Sequence, residues 1–508
     1  MRVGGPVTVP LGDLAPSAAE GMSPFDYAVR RSRPLVVDLD GTLTPADTLV
    51  ESVIQLIKQS PLDAFRIPLW ALRGRLSLKS EVAARTTIDP SLLPYRPALL
   101  EYLHAEKQAG RRIILATAAH QSIADGVAAH LNIFGSVLAT DTHTNLKGCA
   151  KLEAIRRLVG EEFVYAGDCR ADIPIWQSAS SAILVGASPT LTQRMRRQGP
   201  VEQEFPKEAG SFRVWMRALR VHQWLKNLLI FVPLLTAFSF AEVAALATTA
   251  LAFLVFSFAA SATYLINDLW DLESDRAHPR KRLRPFASAS IPILNGLAVA
   301  AGLLVVASVL AWFISPAFFS MLVLYVFLTS IYSWVLKEYV LVDVLMLSVL
   351  YTLRILAGSV AIGVATSSWL LAFSVFVFLS LALVKRCSEL VSLDAMGAAT
   401  TRGRDYRVSD LVILWPLGVG SALSSVVVFG LFISAPDTRA RYASPSMLWL
   451  VAIALIYWLA RLWIKTSRGE MHDDPVIYAI KDFGSRMTVL GMIAVVLVSH
   501  FVTVEFWL

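Results

Sequence analysis

The sequence predicts two joined folds: an N-terminal α/β Rossmann-like domain with a helical cap, and a C-terminal all-α polytopic membrane bundle of about nine transmembrane helices. Hydrophobic residues make up 55% of the 508 residues and charged residues 17%, a balance unusual for a soluble protein. The apolar excess begins near Arg220, and a chain this long exceeds one ordinary core. The expected segments are a tail over 1–32, an α/β domain over 33–190 with its cap at about 45–111, a linker over 191–212 and a membrane domain over 213–508.

Short apolar runs that end in polar residues indicate the strands of the first domain. Helical patterns separate most of these runs, which is typical of a parallel sheet with helices on both faces. The runs are Leu35–Asp40, Ile113–Ala118, Ser136–Thr140, Phe163–Asp168 and Ala182–Gly186. Because ligands bind at the carboxyl ends of the strands in such sheets, we expect the functional residues there.

Four polar motifs follow in chain order, and three of them close predicted strands. They contain Asp38 and Asp40, then Thr117, then Lys151, and finally Asp168 and Asp172. This set resembles the haloacid-dehalogenase phosphatase superfamily over about residues 33–190. The resemblance implies that Asp38 is the nucleophile and Asp40 the general acid and base. It further implies that Thr117 and Lys151 hold the transferring phosphoryl group, and it assigns Mg²⁺ to Asp38, Asp40, Asp168 and Asp172. The structural alternative is that these strand-end carboxylates only cap helices.

The segment Phe65–Arg75 within the predicted cap mixes bulky apolar and cationic residues. Helices that lie on a bilayer have this composition. A helix packed on its own domain explains the segment equally well, so both interpretations stay open.

Nine apolar stretches predict the membrane spans. They cover about 227–241, 243–266, 291–313, 317–335, 340–363, 368–384, 410–433, 446–464 and 487–506. Lysine and arginine concentrate in alternate loops between them, so the positive-inside rule predicts that these loops and the phosphatase-like domain are cytoplasmic. We expect a multi-pass protein of a bacterial-type inner (plasma) membrane, with both active sites on the cytoplasmic side.

Three aspartates directly after the second apolar stretch, Asp268, Asp271 and Asp275, fall on one helical face at spacings of three and four. Such a cluster can bind Mg²⁺, which with nearby cations can hold a diphosphate leaving group. The candidate cations are Lys226, Lys281, Arg284, Lys337, Arg354, Lys385 and Arg386. Asp343 and Arg354 lie at membrane depth. Because burying an ionisable group in a membrane is costly, both residues are functional candidates. The alternatives are structural ion pairs, Asp343 with Arg354 or Lys337 with Glu338, and cations that only snorkel to headgroups.

These motifs resemble the UbiA superfamily of intramembrane prenyltransferases over about residues 213–508, closest to its decaprenyl-phosphate phosphoribosyltransferase branch. The matching positions include Trp224, Lys226, Asn227, the run 267–276, the basic run 278–285, Lys385, Arg386 and Glu389. The resemblance implies transfer of 5-phosphoribose from phosphoribosyl pyrophosphate to a polyprenyl phosphate in the lipid bilayer. Asp268, Asp271 and Asp275 would be the catalytic metal ligands, with Asp343 a further one. Asn267 and Glu389 would join the seven cations in substrate binding.

The fusion then predicts a second step, in which the phosphatase-like domain removes the 5-phosphate to give a precursor for cell-envelope glycans. The main rival is an aromatic prenyltransferase that uses a polyprenyl diphosphate in quinone or haem synthesis, with an independent phosphatase domain. Two functions of a different class also compete: a non-catalytic docking role for the first domain, and a transporter role for the second.

Composition also limits the partners. The net charge is +7, but the basic residues of the second half lie in loops and form no stripe interleaved with aromatics, so nucleic-acid binding is not expected. The three cysteines have no metal-type spacing and are expected to be reduced. Residues 1–23 lack the apolar core of a cleaved signal peptide. The oligomeric state stays open.

Overall fold

The structure is a computed structural model that describes residues 32–207, 211–395, 397, 404–471 and 474–503. The chain divides into two compact units. The first comprises the residues up to Ala218 together with Asp268–Ala298, and the second comprises Leu219–Asn267 and the residues from Val299 onward. The aspartate-rich stretch therefore belongs to the same unit as the α/β domain.

A six-stranded parallel sheet forms the centre of the first unit, in the order β3-β2-β1-β4-β5-β6. The strands are β1 (Leu35–Val37), β2 (Ile113–His120), β3 (Ser136–Thr140), β4 (Val164–Gly167), β5 (Ser181–Val185) and β6 (Val201–Phe205). Side chains of β1 alternate between two cores: Leu35 and Val37 pack on one face and Val36 on the other. The predicted parallel α/β domain is confirmed. β6 was not expected and falls in the stretch predicted as a linker.

Helices cover both faces of the sheet and form a cap above it. Those around the sheet are Pro97–Gln108, Gln121–Leu131, Cys149–Val159, Ile173–Ser178 and Pro189–Gln198, with Phe212–Ala218 following β6. The cap consists of the helices Thr48–Gln59, Ile67–Leu72 and Arg75–Ala83 and the 3₁₀ helix Pro61–Arg66. Short 3₁₀ turns occupy Pro90–Leu92 and Arg170–Asp172. Pro97–Gln108 lies in the range expected for the cap, but it packs on the sheet through Leu99 and Leu103.

Eight helices within the described residues are long and apolar enough to cross a membrane. They are Val243–Trp270, Ile293–Ile314, Pro316–Trp334, Val342–Ile362, Ser368–Ala395, Leu411–Ser434, Leu448–Ser467 and Phe483–Phe501. A 3₁₀ turn precedes Leu411–Ser434, and another precedes Leu448–Ser467. Short helices lie between or beside them at Leu272–Ala277, Pro436–Arg439 and Pro475–Lys481, with 3₁₀ turns at Ser239–Ala241, Lys281–Leu283 and Leu336–Glu338. The predicted polytopic bundle is confirmed.

The stretch predicted as the first span, 227–241, forms no long α-helix. It contains the end of a 3₁₀ helix, Val221–Phe231, and a short α-helix, Val232–Thr236. The 3₁₀ segment packs backbone against backbone on the helix Val342–Ile362 at Gly358, where an added Cβ would collide with the carbonyl oxygen of Ile230. A segment of 15 apolar residues is too short for an ordinary α-helical span, which explains the difference from the expected count of about nine.

Candidate active sites

The carboxyl end of β1 carries Asp38, whose side chain is paired with Lys151. Lys151 Nζ donates to Asp38 Oδ2 at 2.8 Å, although the two residues are 113 positions apart in the chain. Both side chains are buried, Lys151 at 3% and Asp38 at 10% exposure. Burial raises the pKa of Asp38, and the ammonium of Lys151 opposes that shift. The pair places a buried carboxylate beside a cation that could neutralise a phosphate.

Tyr165 of β4 joins this pair to a second carboxylate. Its hydroxyl accepts a hydrogen bond from Lys151 Nζ at 3.0 Å and donates to Asp172 Oδ1 at 2.9 Å. It also lies 3.4 Å from Asp38 Oδ2. Sequence reasoning missed Tyr165, because a tyrosine in an apolar strand has the pattern of a core residue.

Asp168, Cys169 and Asp172 each place one potential metal-ligand atom within 4.8 Å of the others. Asp168 approaches Gly41 so closely that a Cβ on Gly41 would collide with its carboxylate, and Gly41 has φ +79°. Burial, together with the charges of Asp172 and Asp38, raises the pKa of Asp168 to about 7. Closely spaced carboxylates held this way are a donor set that suits Mg²⁺.

Asp40 is held at the start of the helix Thr48–Gln59. Its Oδ1 accepts from the Thr48 amide at 2.9 Å and its Oδ2 from the Thr48 hydroxyl at 3.2 Å. Burial and the neighbouring charge of Asp47 raise the pKa of Asp40 to about 7. The carboxyl group can therefore exchange a proton near neutral pH.

Two further groups lie near the end of β2. Thr117 is fully buried, and its Oγ1 accepts from the Ala119 amide at 3.0 Å. Lys79 of the cap reaches down to the sheet domain and donates to the Ala118 carbonyl at 2.6 Å and to Asn145 Oδ1 at 2.9 Å. Lys79 therefore ties the cap to the rim of the site, a contact that the sequence did not indicate.

Most of these groups line a cavity of about 650 Å³, whereas Thr117 and Tyr165 lie behind its lining residues. Its floor is polar and includes Asp38, Asp40, Lys151, Asp168 and Asp172. Another part of the wall comes from far along the chain, from Phe286, Ala289 and the run Ile291–Asn295. That second part of the wall is almost entirely apolar.

The aspartate-rich stretch forms a second cluster of charge. Asp268 and Asp275 are 3% and 2% exposed, and one guanidinium nitrogen of Arg284 lies 3.2 Å from Asp268 Oδ1 and 2.6 Å from Asp275 Oδ2. Both carboxylates therefore face the same point, where a cation is favoured. Burial raises the pKa of Asp275, and Arg284 opposes the shift. The oxygen donors suit Mg²⁺.

A third cluster lies in the second unit around Asp474. Lys226 Nζ donates to Asp474 Oδ2 at 2.7 Å, and Lys385 Nζ lies 3.6 Å from the same oxygen. The Lys226 ammonium is also 5.7 Å from the centre of the Tyr351 ring. The structure thus brings together two of the predicted cations, and Asp474 is their shared counter-ion.

Arg354 and Arg386 occupy separate buried networks. Arg354 donates from Nε to Asn227 Oδ1 at 2.8 Å and from Nη2 to the Tyr325 hydroxyl at 3.1 Å. Arg386, whose side chain is fully buried, pairs through Nε with Asp343 at 3.0 Å and also with Glu389.

The ion-pair partner of Asp343 differs from the one that the sequence suggested. Besides Arg386, its carboxylate accepts from the Tyr406 hydroxyl at 2.5 Å and the Val344 amide at 2.7 Å. Among the described residues Asp343 Oδ2 makes the ion pair with Arg386 but has no hydrogen-bond partner, so the assignment of Asp343 as a metal ligand stays a prediction. The partner in that pair is Arg386, whereas the sequence suggested Arg354.

The remaining predicted residues are placed as follows. Asp271 lies between the helices that end at Trp270 and begin at Leu272, and Asn267 is in the last turn of the former. Lys281 is exposed at the start of the 3₁₀ turn Lys281–Leu283, and Lys337 lies in the turn Leu336–Glu338.

Comparison with known proteins identifies two families along the chain. The UbiA prenyltransferase family matches residues 228–481, and the haloacid dehalogenase-like hydrolases match residues 35–177. "Uncharacterized protein y4nM" of Sinorhizobium fredii is 39% identical over 89% of this chain and 88% of its own length. Decaprenyl-phosphate phosphoribosyltransferase of Mycobacterium tuberculosis is 32% identical over 55% of this chain and 92% of its own length. A solved UbiA homologue from Archaeoglobus fulgidus, bound to GPP and Mg²⁺, is 16% identical, covers 56% of this chain and 99% of its own, and has a TM-score of 0.44.

Proposed function

Because this chain belongs to the UbiA prenyltransferase family and carries a haloacid dehalogenase-like hydrolase domain, we propose that it catalyses two successive reactions on a membrane lipid. The first transfers 5-phosphoribose from phosphoribosyl pyrophosphate to a polyprenyl phosphate. The second removes the 5-phosphate and leaves a polyprenyl-phosphate ribose, a precursor for cell-envelope glycans. The observation that carries the proposal is the buried Lys151–Asp38 pair, found in a chain that has a phosphoribosyltransferase among its relatives.

In the transferase reaction the bond between the anomeric carbon and the pyrophosphate oxygen breaks, and a lipid phosphate oxygen bonds to that carbon. The carboxylates of Asp268, Asp271 and Asp275 would hold Mg²⁺, which when bound stabilises the charge that develops on the pyrophosphate. Arg284 is already directed at Asp268 and Asp275 and would contact the same leaving group. The acceptor phosphate is anionic near pH 7, so no general base is required.

The donor and acceptor together bring several phosphate groups, which require a surplus of cations. Lys226 and Lys385 bring two ammonium groups to one carboxylate oxygen of Asp474, at 2.7 and 3.6 Å, and phosphate groups bind such clusters of cations. We assign these two lysines to phosphate binding. We keep the remaining predicted residues assigned to substrate binding, namely Asn267, Lys281, Lys337, Arg354, Arg386 and Glu389.

In the phosphatase reaction Asp38 attacks the phosphorus atom, and Asp40 protonates the 5-oxygen of the ribose as the ester bond breaks. Asp40 then takes a proton from a water molecule whose oxygen bonds to the phosphorus atom, and the bond between phosphorus and Asp38 breaks to release phosphate. Lys151 and Thr117 would hold the phosphoryl oxygens. Asp38, Asp168 and Asp172 would hold Mg²⁺ here, which when bound offsets the repulsion between the carboxylate and the phosphate.

We also propose that both sites face the cytoplasm of a bacterial-type inner membrane. This orientation requires the chain to cross the membrane once before the helix Val243–Trp270. With rises of about 2.0 Å per residue in a 3₁₀ helix and 1.5 Å in an α-helix, Val221–Thr236 would span about 30 Å if straight. That length equals the hydrocarbon core of a bilayer.

A single labelling experiment tests the two reactions. Purified protein in lipid nanodiscs is incubated with polyprenyl phosphate, Mg²⁺ and phosphoribosyl pyrophosphate labelled in the ribose. Wild type should form a labelled lipid without the 5-phosphate, and Asp38→Asn should accumulate the lipid that still carries it. Asp268→Ala should form neither lipid. Loss of the 5-phosphate at the wild-type rate in Asp38→Asn would contradict the phosphatase assignment.

The alternative within the family is prenylation of an aromatic acceptor by a polyprenyl diphosphate. It is favoured by the aromatic groups beside Lys226, where the rings of Tyr351 and Phe378 stack at 4.8 Å and could shelter an allyl cation. The same nanodiscs with polyprenyl diphosphate and 4-hydroxybenzoate decide between the two. Consumption of the diphosphate, without dependence on phosphoribosyl pyrophosphate, would favour this alternative.

A further inference from the structure

The phosphatase cavity has an apolar wall that its own chemistry does not need. The residues that form it are Phe286, Ala289, Ile291, Pro292, Ile293 and Leu294, with Asn295 at its end. A phosphate and a ribose are polar and gain little from such a surface. The wall therefore indicates a ligand that has an apolar part as well as a phosphate.

Arg276 fixes this wall to the phosphatase cap. Its Nε donates to the Ala287 carbonyl at 3.0 Å, and its two terminal nitrogens donate to the two carboxylate oxygens of Glu51 at 2.8 and 2.6 Å. The side chains of Arg276 and Glu51 are 6% and 7% exposed. Glu51 lies in the helix Thr48–Gln59, the same helix whose first residue binds Asp40. The helix Thr48–Gln59 therefore holds the wall through Glu51 and the proposed general acid, Asp40, through Thr48.

The wall continues into a helix that is long and apolar enough to cross a membrane. Ile293 is the first residue of the helix Ile293–Ile314, which has a mean hydropathy of 2.6 over its most apolar window. Leu294, on the first turn of this helix, lines the cavity and is 59% exposed. A lipid ester with its phosphate in the cavity can therefore bring its first apolar atoms against Leu294.

We propose that residues 286–295 are the specificity-determining wall of the phosphatase and select a phosphate monoester whose alcohol is attached to a membrane lipid. The phosphate binds at Asp38 and Lys151, and the first apolar atoms of the lipid contact Leu294 and Pro292, the two exposed apolar residues of the wall. Water-soluble sugar phosphates reach the same floor but make no use of the wall. The inference rests on the proposed phosphatase function and names the substrate class of that site.

The test compares two substitutions one turn apart. Leu294→Gln changes the wall, and Leu297→Gln is the matched control, because Leu297 is 40% exposed on the same helix and is not among the described residues that line the cavity. Each full-length variant in nanodiscs is assayed with chemically prepared polyprenyl-phosphate phosphoribose and with ribose 5-phosphate. The measured quantities are kcat and KM for phosphate release.

Leu294→Gln should raise KM for the lipid ester by roughly fivefold to tenfold, the value of one lost leucine contact, and leave both constants for ribose 5-phosphate unchanged. Leu297→Gln should leave both substrates unchanged. Equal effects of the two variants, or equal effects on the two substrates, would overturn the inference. If wild type releases no phosphate from the lipid ester, the proposed function itself fails. If wild type does so and Leu294→Gln has no selective effect, only the wall is wrong.

Discussion

Glu51→Gln is expected to loosen the helix that carries the phosphatase cap. Glu51 and Arg276 form a two-point ion pair with both side chains at most 7% exposed. Removing one partner of a buried pair costs about 3–5 kcal/mol because the other charge stays buried without compensation. Gln keeps one oxygen as an acceptor, so we expect a cost near the lower limit, about 3 kcal/mol.

Hydrogen exchange measures this cost locally, which matters because a protein of two units does not unfold in a single step. A loss of about 3 kcal/mol corresponds to a roughly hundredfold loss of protection in the amides of Thr48–Gln59, at 1.4 kcal/mol per factor of ten. The matched control is Glu81→Gln in the neighbouring cap helix Arg75–Ala83. Glu81 pairs with Arg85 at 2.5 Å, but both side chains are about a third exposed, at 37% and 35%.

An exposed pair contributes about 0–1 kcal/mol, so the control should lose no more than about fivefold protection. The double variant Glu51→Gln, Arg276→Met removes the uncompensated charge and should recover most of the lost protection. Equal protection of Thr48–Gln59 in Glu51→Gln and Glu81→Gln would refute the buried-pair reasoning. A double variant that is worse than Glu51→Gln alone would refute it as well.

Three more expectations concern the catalytic groups and the membrane bundle. Tyr165→Phe removes a hydroxyl that joins two charged groups of the proposed phosphatase site, so kcat for phosphate release should fall roughly tenfold to a hundredfold. The control is Tyr102→Phe, which loses a hydrogen bond to a carboxylate that does not line the cavity and should keep kcat. Gly358→Ala would collide with the Ile230 carbonyl and should lower the melting temperature in detergent, whereas Gly302→Ala meets open space and should not. Treatment with EDTA should abolish both activities and added Mg²⁺ should restore them; an active chelated enzyme would contradict the metal assignments.

The grouping of Asp38 with Lys151 could be predicted largely because parallel sheets place strand ends together. Asp38 and Lys151 come from separate motifs, and the register of β1 beside β2 and β4 brings their surroundings to one edge. Tyr165 could not be predicted in the same way. The ring of Tyr165 packs in the core, which agrees with the apolar pattern of β4. Its hydroxyl donates to Asp172, and the apolar pattern does not indicate this hydrogen bond.

Ion-pair partners in the membrane bundle could not be predicted, because an apolar stretch carries no information on which helix faces which. Asp343 was expected beside a metal or Arg354, and the structure pairs it with Arg386.

The strand β6 was missed for a similar reason, because its sequence does not show which residue it pairs with. Its sequence alternates two glutamates with less polar residues, and Glu202 is paired at 2.7 Å with Arg111, which lies just before β2 and far away in the chain.

The short helix Leu272–Ala277 places two functional connections on adjacent residues. Asp275 is paired with Arg284 in the aspartate cluster, and Arg276 is paired with Glu51 of the phosphatase cap. Consecutive residues of an α-helix are separated by about 100°, so one short helix can present the carboxylate to one site and the guanidinium to the other. Since a helix of six residues is too short to be stable alone, both ion pairs contribute to holding it in place. The proposed transferase and phosphatase therefore depend on the same six residues, which explains physically why the two reactions would be joined in one chain.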